Sequence, residues 1–101
     1  SLVTLSESKL SIKGIPITLP YGNYTKPKVF KFSDTVYITT TDIESEKVYL
    51  FKGNGKTVKG FPVYGTTSAS LSKSEKRNQL ELVVGSEKKD IVVYSFLDTE
   101  N

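Results

Sequence analysis

Val48-Tyr49-Leu50-Phe51-Lys52-Gly53-Asn54-Gly55-Lys56-Thr57-Val58-Lys59-Gly60-Phe61-Pro62-Val63 is the stretch whose reading decides the fold. A β-branched and aromatic run enters a Gly53-Asn54-Gly55 turn and leaves through Gly60-Phe61-Pro62. Asn-Gly tolerates the positive φ values of a tight hairpin turn. Gly60 permits a bend, Phe61 is expected to pack inward, and Pro62 ends the strand's hydrogen bonding. Upstream, Lys13-Gly14-Ile15-Pro16-Ile17 has the same form: Gly14 and Gly60 are 46 apart, as are Pro16 and Pro62.

Other segments correspond at nearly the same distance. Val36-Tyr37-Ile38-Thr39-Thr40 precedes Leu80-Glu81-Leu82-Val83-Val84 by 44 residues, and Val48-Tyr49-Leu50-Phe51 precedes Val93-Tyr94-Ser95-Phe96 by 45. Leu2-Val3-Thr4-Leu5 falls 46 before Val48-Tyr49-Leu50-Phe51. The chain therefore reads as two copies of one unit, over residues 1–47 and 48–97, with a polar tail at 98–101. A repeat of about 40–50 residues holding roughly four short strands is the size of one propeller blade.

The pattern is all-β, because no window carries apolar residues at helical spacing while β-branched and aromatic residues crowd into short runs. Strands are expected at Leu2–Leu5, Leu10–Lys13, Lys28–Phe32, Thr35–Thr40, Lys47–Lys52, Thr57–Lys59, Ala69–Ser72, Gln79–Gly85 and Asp90–Phe96. Pro20-Tyr21-Gly22-Asn23-Tyr24-Thr25-Lys26-Pro27 is too broken by Pro and Gly for a central strand and reads as a surface crossover between sheets. The expected fold is two antiparallel propeller-type blades of about eight short strands. A single β-sandwich is the alternative, since seven or more short strands in about 100 residues also suits that architecture.

The second copy resembles blades of the FG-GAP/VCBS-like bacterial β-propeller families. The resemblance rests on Tyr49-Leu50-Phe51, Gly53-Asn54-Gly55, Gly60-Phe61-Pro62-Val63, Glu81-Leu82-Val83-Val84-Gly85 and Ile91-Val92-Val93-Tyr94. It implies a propeller, a binding or scaffolding role, and a secreted, cell-surface or periplasmic location. Such blades carry a calcium-binding D-x-D-x-D-G-like loop before the E-L-V-V strand. Here that loop is Lys73-Ser74-Glu75-Lys76-Arg77-Asn78, and in the first copy it shrinks to Ser33-Asp34. Calcium takes about 6–8 oxygen ligands, and only Glu75 offers a carboxylate in the longer loop. No metal and no cofactor is expected.

Composition narrows the chemistry. The 101 residues contain no Cys and no His, which removes thiolate sites, disulfides and the commonest general base. The charge of +3 comes from 14 basic and 11 acidic residues, and Arg77 is the only arginine. Nucleic-acid readout leans on arginine forks and basic stripes, so no nucleic-acid partner is expected. No apolar run approaches the roughly 20 residues of a membrane span. Asp34 and Asp42 do not make a recognisable catalytic pair, and no nucleotide or nucleophile motif is present.

Candidate contact residues are Tyr21 and Tyr24, aromatic side chains in a loop that could stack on a sugar or peptide. Tyr37, Tyr49 and Tyr94 lie in expected strands and are assigned to packing. Asn23-Tyr24-Thr25 fits a glycan acceptor pattern, but such short patterns arise often by chance and Asn23 is read as a turn asparagine. Gly14, Pro16, Gly53, Asn54, Gly55, Gly60, Phe61 and Pro62 are read as turn and repeat positions. The expectation is a non-catalytic structural or protein-interaction module, a fragment of a larger β-propeller protein. The alternative is a carbohydrate-binding accessory module. Partners are then protein or glycan, with self-association or neighbouring blades covering open sheet faces.

Overall fold

A computed structural model describes residues 3–74 and 79–97. These residues are all-β, forming ten strands in three antiparallel sheets and no closed barrel. The first sheet is the meander β1 (Val3–Ser6), β2 (Lys9–Ile12) and β3 (Ile15–Thr18). The middle sheet runs in chain order through β4 (Lys28–Phe32), β5 (Thr35–Asp42), β6 (Lys47–Lys52) and β7 (Val63–Tyr64). The last sheet is β8 (Ser70–Ser74), β9 (Gln79–Gly85) and β10 (Ile91–Phe96).

Side-chain alternation explains how these sheets meet. Successive residues of a strand point to opposite faces. Tyr37, Val48 and Leu50 on one face of the middle sheet join Leu71, Leu80, Leu82 and Val84 of the last sheet in one core. Ile38, Tyr49 and Phe51 on the other face join Leu10 and Ile12 of the first sheet in a second core. β5 and β6 are thus buried on both sides, whereas β1 and β10 alternate half-buried with exposed. The first sheet turns Thr4, Ser6, Lys9, Ser11, Pro16 and Thr18 outward, a polar surface. The outward face of the last sheet is mixed, with Ile91 70 % and Val93 50 % exposed.

Lys28–Phe32, Lys47–Lys52 and Gln79–Gly85 form strands with the bounds expected from sequence. Four departures have physical reasons. Thr57–Lys59 is no strand; Thr57 makes only an isolated bridge to Phe51, and the chain turns away at Gly60, whose φ is +95°. It returns as β7, where Val63 faces Val48. The Phe61–Pro62 peptide in this detour is cis. Lys13 is not the end of β2 but the first residue of a two-residue turn, with φ of +52° at Lys13 and +81° at Gly14, as a type I′ hairpin requires. Beyond it, Ile15–Thr18 adds an unexpected strand, in which Pro16 sits on a sheet edge that needs no further donor. Finally, in Gly53-Asn54-Gly55 only Gly55 takes positive φ, at +89°. Asn54 instead accepts a bond from the Lys56 amide through Oδ1 at 3.0 Å.

A division at residues 47 and 48 falls inside β6, so the middle sheet straddles the two sequence copies. The tail at 98–101, Leu2, and Glu75–Asn78 of the cation-rich loop lie outside the described residues.

Candidate functional site

The Pro20–Pro27 crossover links the first and middle sheets, and its inner half is built into the fold. Tyr24 bridges Asp42, at the end of β5. The Thr25 amide donates to the Thr41 carbonyl at 2.8 Å, and the Ile43 amide to the Asn23 carbonyl at 2.9 Å. Residues 23–25 therefore prolong the β4 side of the sheet beside β5.

Asp42 organises this junction and is only 2 % exposed. Its Oδ1 accepts the backbone N–H groups of Asn23 and Glu44, each at 3.0 Å, and its Oδ2 accepts the Ser45 hydroxyl at 2.6 Å. Burial pushes the carboxyl pKa up, but the bonds from Ser45, Asn23 and Glu44 outweigh it and hold the group below its ordinary value. Gly22 is required by close approach: a Cβ there would run into the Asp42 carboxylate. Among the described residues Asp42 is the only buried carboxylate, and its bonds are spent on the chain itself.

The structure divides the two candidate tyrosines. Tyr21 is 90 % exposed. Tyr24 is half-buried, its ring 6.0 Å from that of Tyr49 and its hydroxyl donating to the Pro20 carbonyl at 2.6 Å. Burial, then Tyr49 and Asp42, push the Tyr24 phenol well above its usual pKa. The two rings do not form a joint platform; Tyr21 alone is presented to solvent. Tyr37 and Tyr49 are buried, and Tyr94 donates its hydroxyl to the Tyr64 carbonyl at 2.8 Å.

A second crossover, from β7 to β8, uses matching bonds. The Gly85 amide donates to Thr67 Oγ1 at 2.9 Å, as the Thr41 amide donates to Thr25 Oγ1 at 3.0 Å. Ser86 Oγ accepts from the amide two residues on, Lys88, as Asp42 does from Glu44. Gly65, like Gly22, has no room for a Cβ, which would meet Val48 and Val84 side-chain atoms. The sequence signal for this junction is Tyr21-Gly22 recurring as Tyr64-Gly65, 43 residues on. The structural role of Asp42 has no comparable signal in the sequence.

At the opposite end of β5, Lys13, Asp34, Thr35, Val36, Lys52, Gly53 and Asn54 line an open groove of about 360 Å³. Gly14 and Gly60 shape turns with open space beside them, and Gly55 approaches Ile15. Phe61 packs on the core between middle and last sheets, 5.3 Å from Phe96 in an edge-on contact. No group of three His, Cys, Asp or Glu side chains that could hold a metal occurs among the described residues. Among the described residues no helix is long and apolar enough to cross a membrane.

Compared with known proteins, the chain matches no family model, no curated protein and no solved structure.

Proposed function

We propose that this chain is a non-catalytic structural and protein-interaction module, made of propeller-type blades and belonging to a larger FG-GAP/VCBS-like protein outside the cytoplasm. The observation that carries the reading is the commitment of Asp42: a buried carboxylate that holds the crossover through the Asn23 amide and the β5–β6 turn through Glu44 and Ser45. A group so spent has no proton or lone pair directed at a substrate, and the sequence supplies no His or Cys to replace it. The matched bonds of the two crossovers support a repeated unit. Three sheets succeeding one another in chain order, with the middle one covered on both faces, favour stacked blades over a two-sheet sandwich.

The second reading, a carbohydrate-binding module, rests on Tyr21 alone, an exposed ring on an anchored crossover. The test is a broad glycan panel probed with the unaltered chain and with Tyr21→Ala. The structural reading predicts no sugar bound by either. Binding that Tyr21→Ala abolishes would replace it with the second reading.

A further inference from the structure

The last sheet ends on a strand that resembles no other sheet edge among the described residues. β10 is six residues long, Ile91-Val92-Val93-Tyr94-Ser95-Phe96, and contains neither a charge nor a proline. Natural sheets blunt their edges with lysines, prolines or brevity. β4 carries Lys28 and Lys31, β8 carries Lys73, β3 carries Pro16, and β1 and β7 are shorter. In the middle sheet, β6 has β7 on its outer edge, whereas β10 pairs only with β9 among the described residues.

The pairing pattern shows which groups of β10 point outward. The Ser86 amide donates to the Asp90 carbonyl at 2.9 Å, closing the β9–β10 hairpin with a hydrogen-bonded pair. Hydrogen-bonded and non-bonded pairs alternate along an antiparallel ladder. With Gly85 opposite Ile91, Val84 opposite Val92 and Leu82 opposite Tyr94, the backbone groups of Val92, Tyr94 and Phe96 turn toward β9. Those of Ile91, Val93 and Ser95 face the open edge. The same three side chains lie on the outward face of the sheet.

We propose that β10 pairs antiparallel with β10 of a second copy of this chain about a two-fold axis, Val93 of one copy opposite Val93 of the other. In that register Ile91 of each copy faces Ser95 of the other, so the three residues with outward backbone groups meet as hydrogen-bonded pairs. Val92 faces Tyr94 between them, and outward-facing side chains meet outward-facing ones. Both faces stay in register, which a shift by one residue would destroy. The two three-stranded sheets become one six-stranded sheet, Val93 packs on its own symmetry mate, and no like charges oppose one another within the strand. Self-complementarity of this kind is what an isologous interface needs.

The inference rests on the reading of the chain as an interaction module, and the two fail separately. Sugar binding through Tyr21 removes the reading, whereas the edge is tested by mass and amide exchange. Sedimentation of the full chain over a concentration series should show a monomer–dimer equilibrium. Hydrogen exchange at high concentration should protect the Ile91, Val93 and Ser95 amides. Val93→Lys, on the exposed face, sets like charges opposite each other at the two-fold axis. It should raise the dimer dissociation constant at least about tenfold and free those three amides, with far-UV circular dichroism unchanged. A monomer at every concentration overturns the proposal, as does a dimer that survives Val93→Lys intact. So does protection of the three amides in the monomer, which would mean the edge is covered within one chain.

Discussion

The backbone N–H of Asn23 donates to Oδ1 of Asp42 across 19 residues of sequence, at 3.0 Å. Through this bond the crossover from the first sheet is held by the middle one. The carboxylate does at this junction what a strand partner does elsewhere: it accepts from backbone donors and so fixes the path of the chain.

The pH dependence of stability follows from it. The folded state holds the Asp42 pKa below its unfolded value of about 3.9. Its contribution is therefore fully present above that pH and is lost as pH falls through the folded pKa. Denaturant titrations should show stability declining at acid pH, with a shallower decline in Asp42→Asn.

Tyr24 shifts in the other direction. Its phenol is raised, chiefly by burial, so the folded state favours the neutral form. That contribution is present below the unfolded tyrosine pKa of about 10 and is lost as pH rises toward the folded value. An ultraviolet titration should show an ionisation step above the ordinary tyrosine range, and Tyr24→Phe should abolish it.

Thr41 offers a stabilising change. Its Oγ1 is buried without a hydrogen-bond partner, opposite Val48 in the sheet. Replacing an unsatisfied buried hydroxyl by a methyl removes a desolvation cost of about 1–3 kcal/mol. Thr41→Val should raise the denaturation midpoint, with a gain of about 1 kcal/mol.

Gly22 and Gly65 should be intolerant for steric reasons. A Cβ at Gly65 would lie 2.5 Å from Val48 Cγ2 and 2.7 Å from Val84 Cγ2. Overpacking typically costs about 1–3 kcal/mol, so Gly65→Ala and Gly22→Ala should lower thermal stability accordingly. Gly14→Asn is the control. Gly14 has open space around it and φ of +81°, a conformation Asn tolerates, and its loss should stay within about 1 kcal/mol.

Much of the strand pattern was legible because it is local. Lys47–Lys52 and Gln79–Gly85 combine β-branched residues with clear turn signals at their ends. Ile15–Thr18 was hidden by Pro16, which argues against a central strand but not against an edge. β7 was hidden because only two residues pair after the Gly60 bend. Two copies read from sequence became three sheets, since β1, β2 and β3 form a sheet of their own. Open sheet faces were expected to need cover, yet the first sheet's outer face is Ser, Thr and Lys with the single Pro16. The sequence shows Asp42 only as an unpaired carboxylate, because two of its three hydrogen-bond partners are backbone amides, which no side-chain pattern announces. The Tyr21 and Tyr24 pair looked like one platform in sequence, and the Tyr24–Asp42 bridge is what separates them.

The most direct test of the account is the stability of Asp42→Ala by equilibrium denaturation at neutral pH. If Asp42 is a structural clasp, its removal takes the carboxylate acceptor from the amides of Asn23 and Glu44 and from the Ser45 hydroxyl, and stability should fall by about 2–4 kcal/mol. An unchanged or increased stability would contradict the account, because it would mean the carboxylate is held there for something other than the fold.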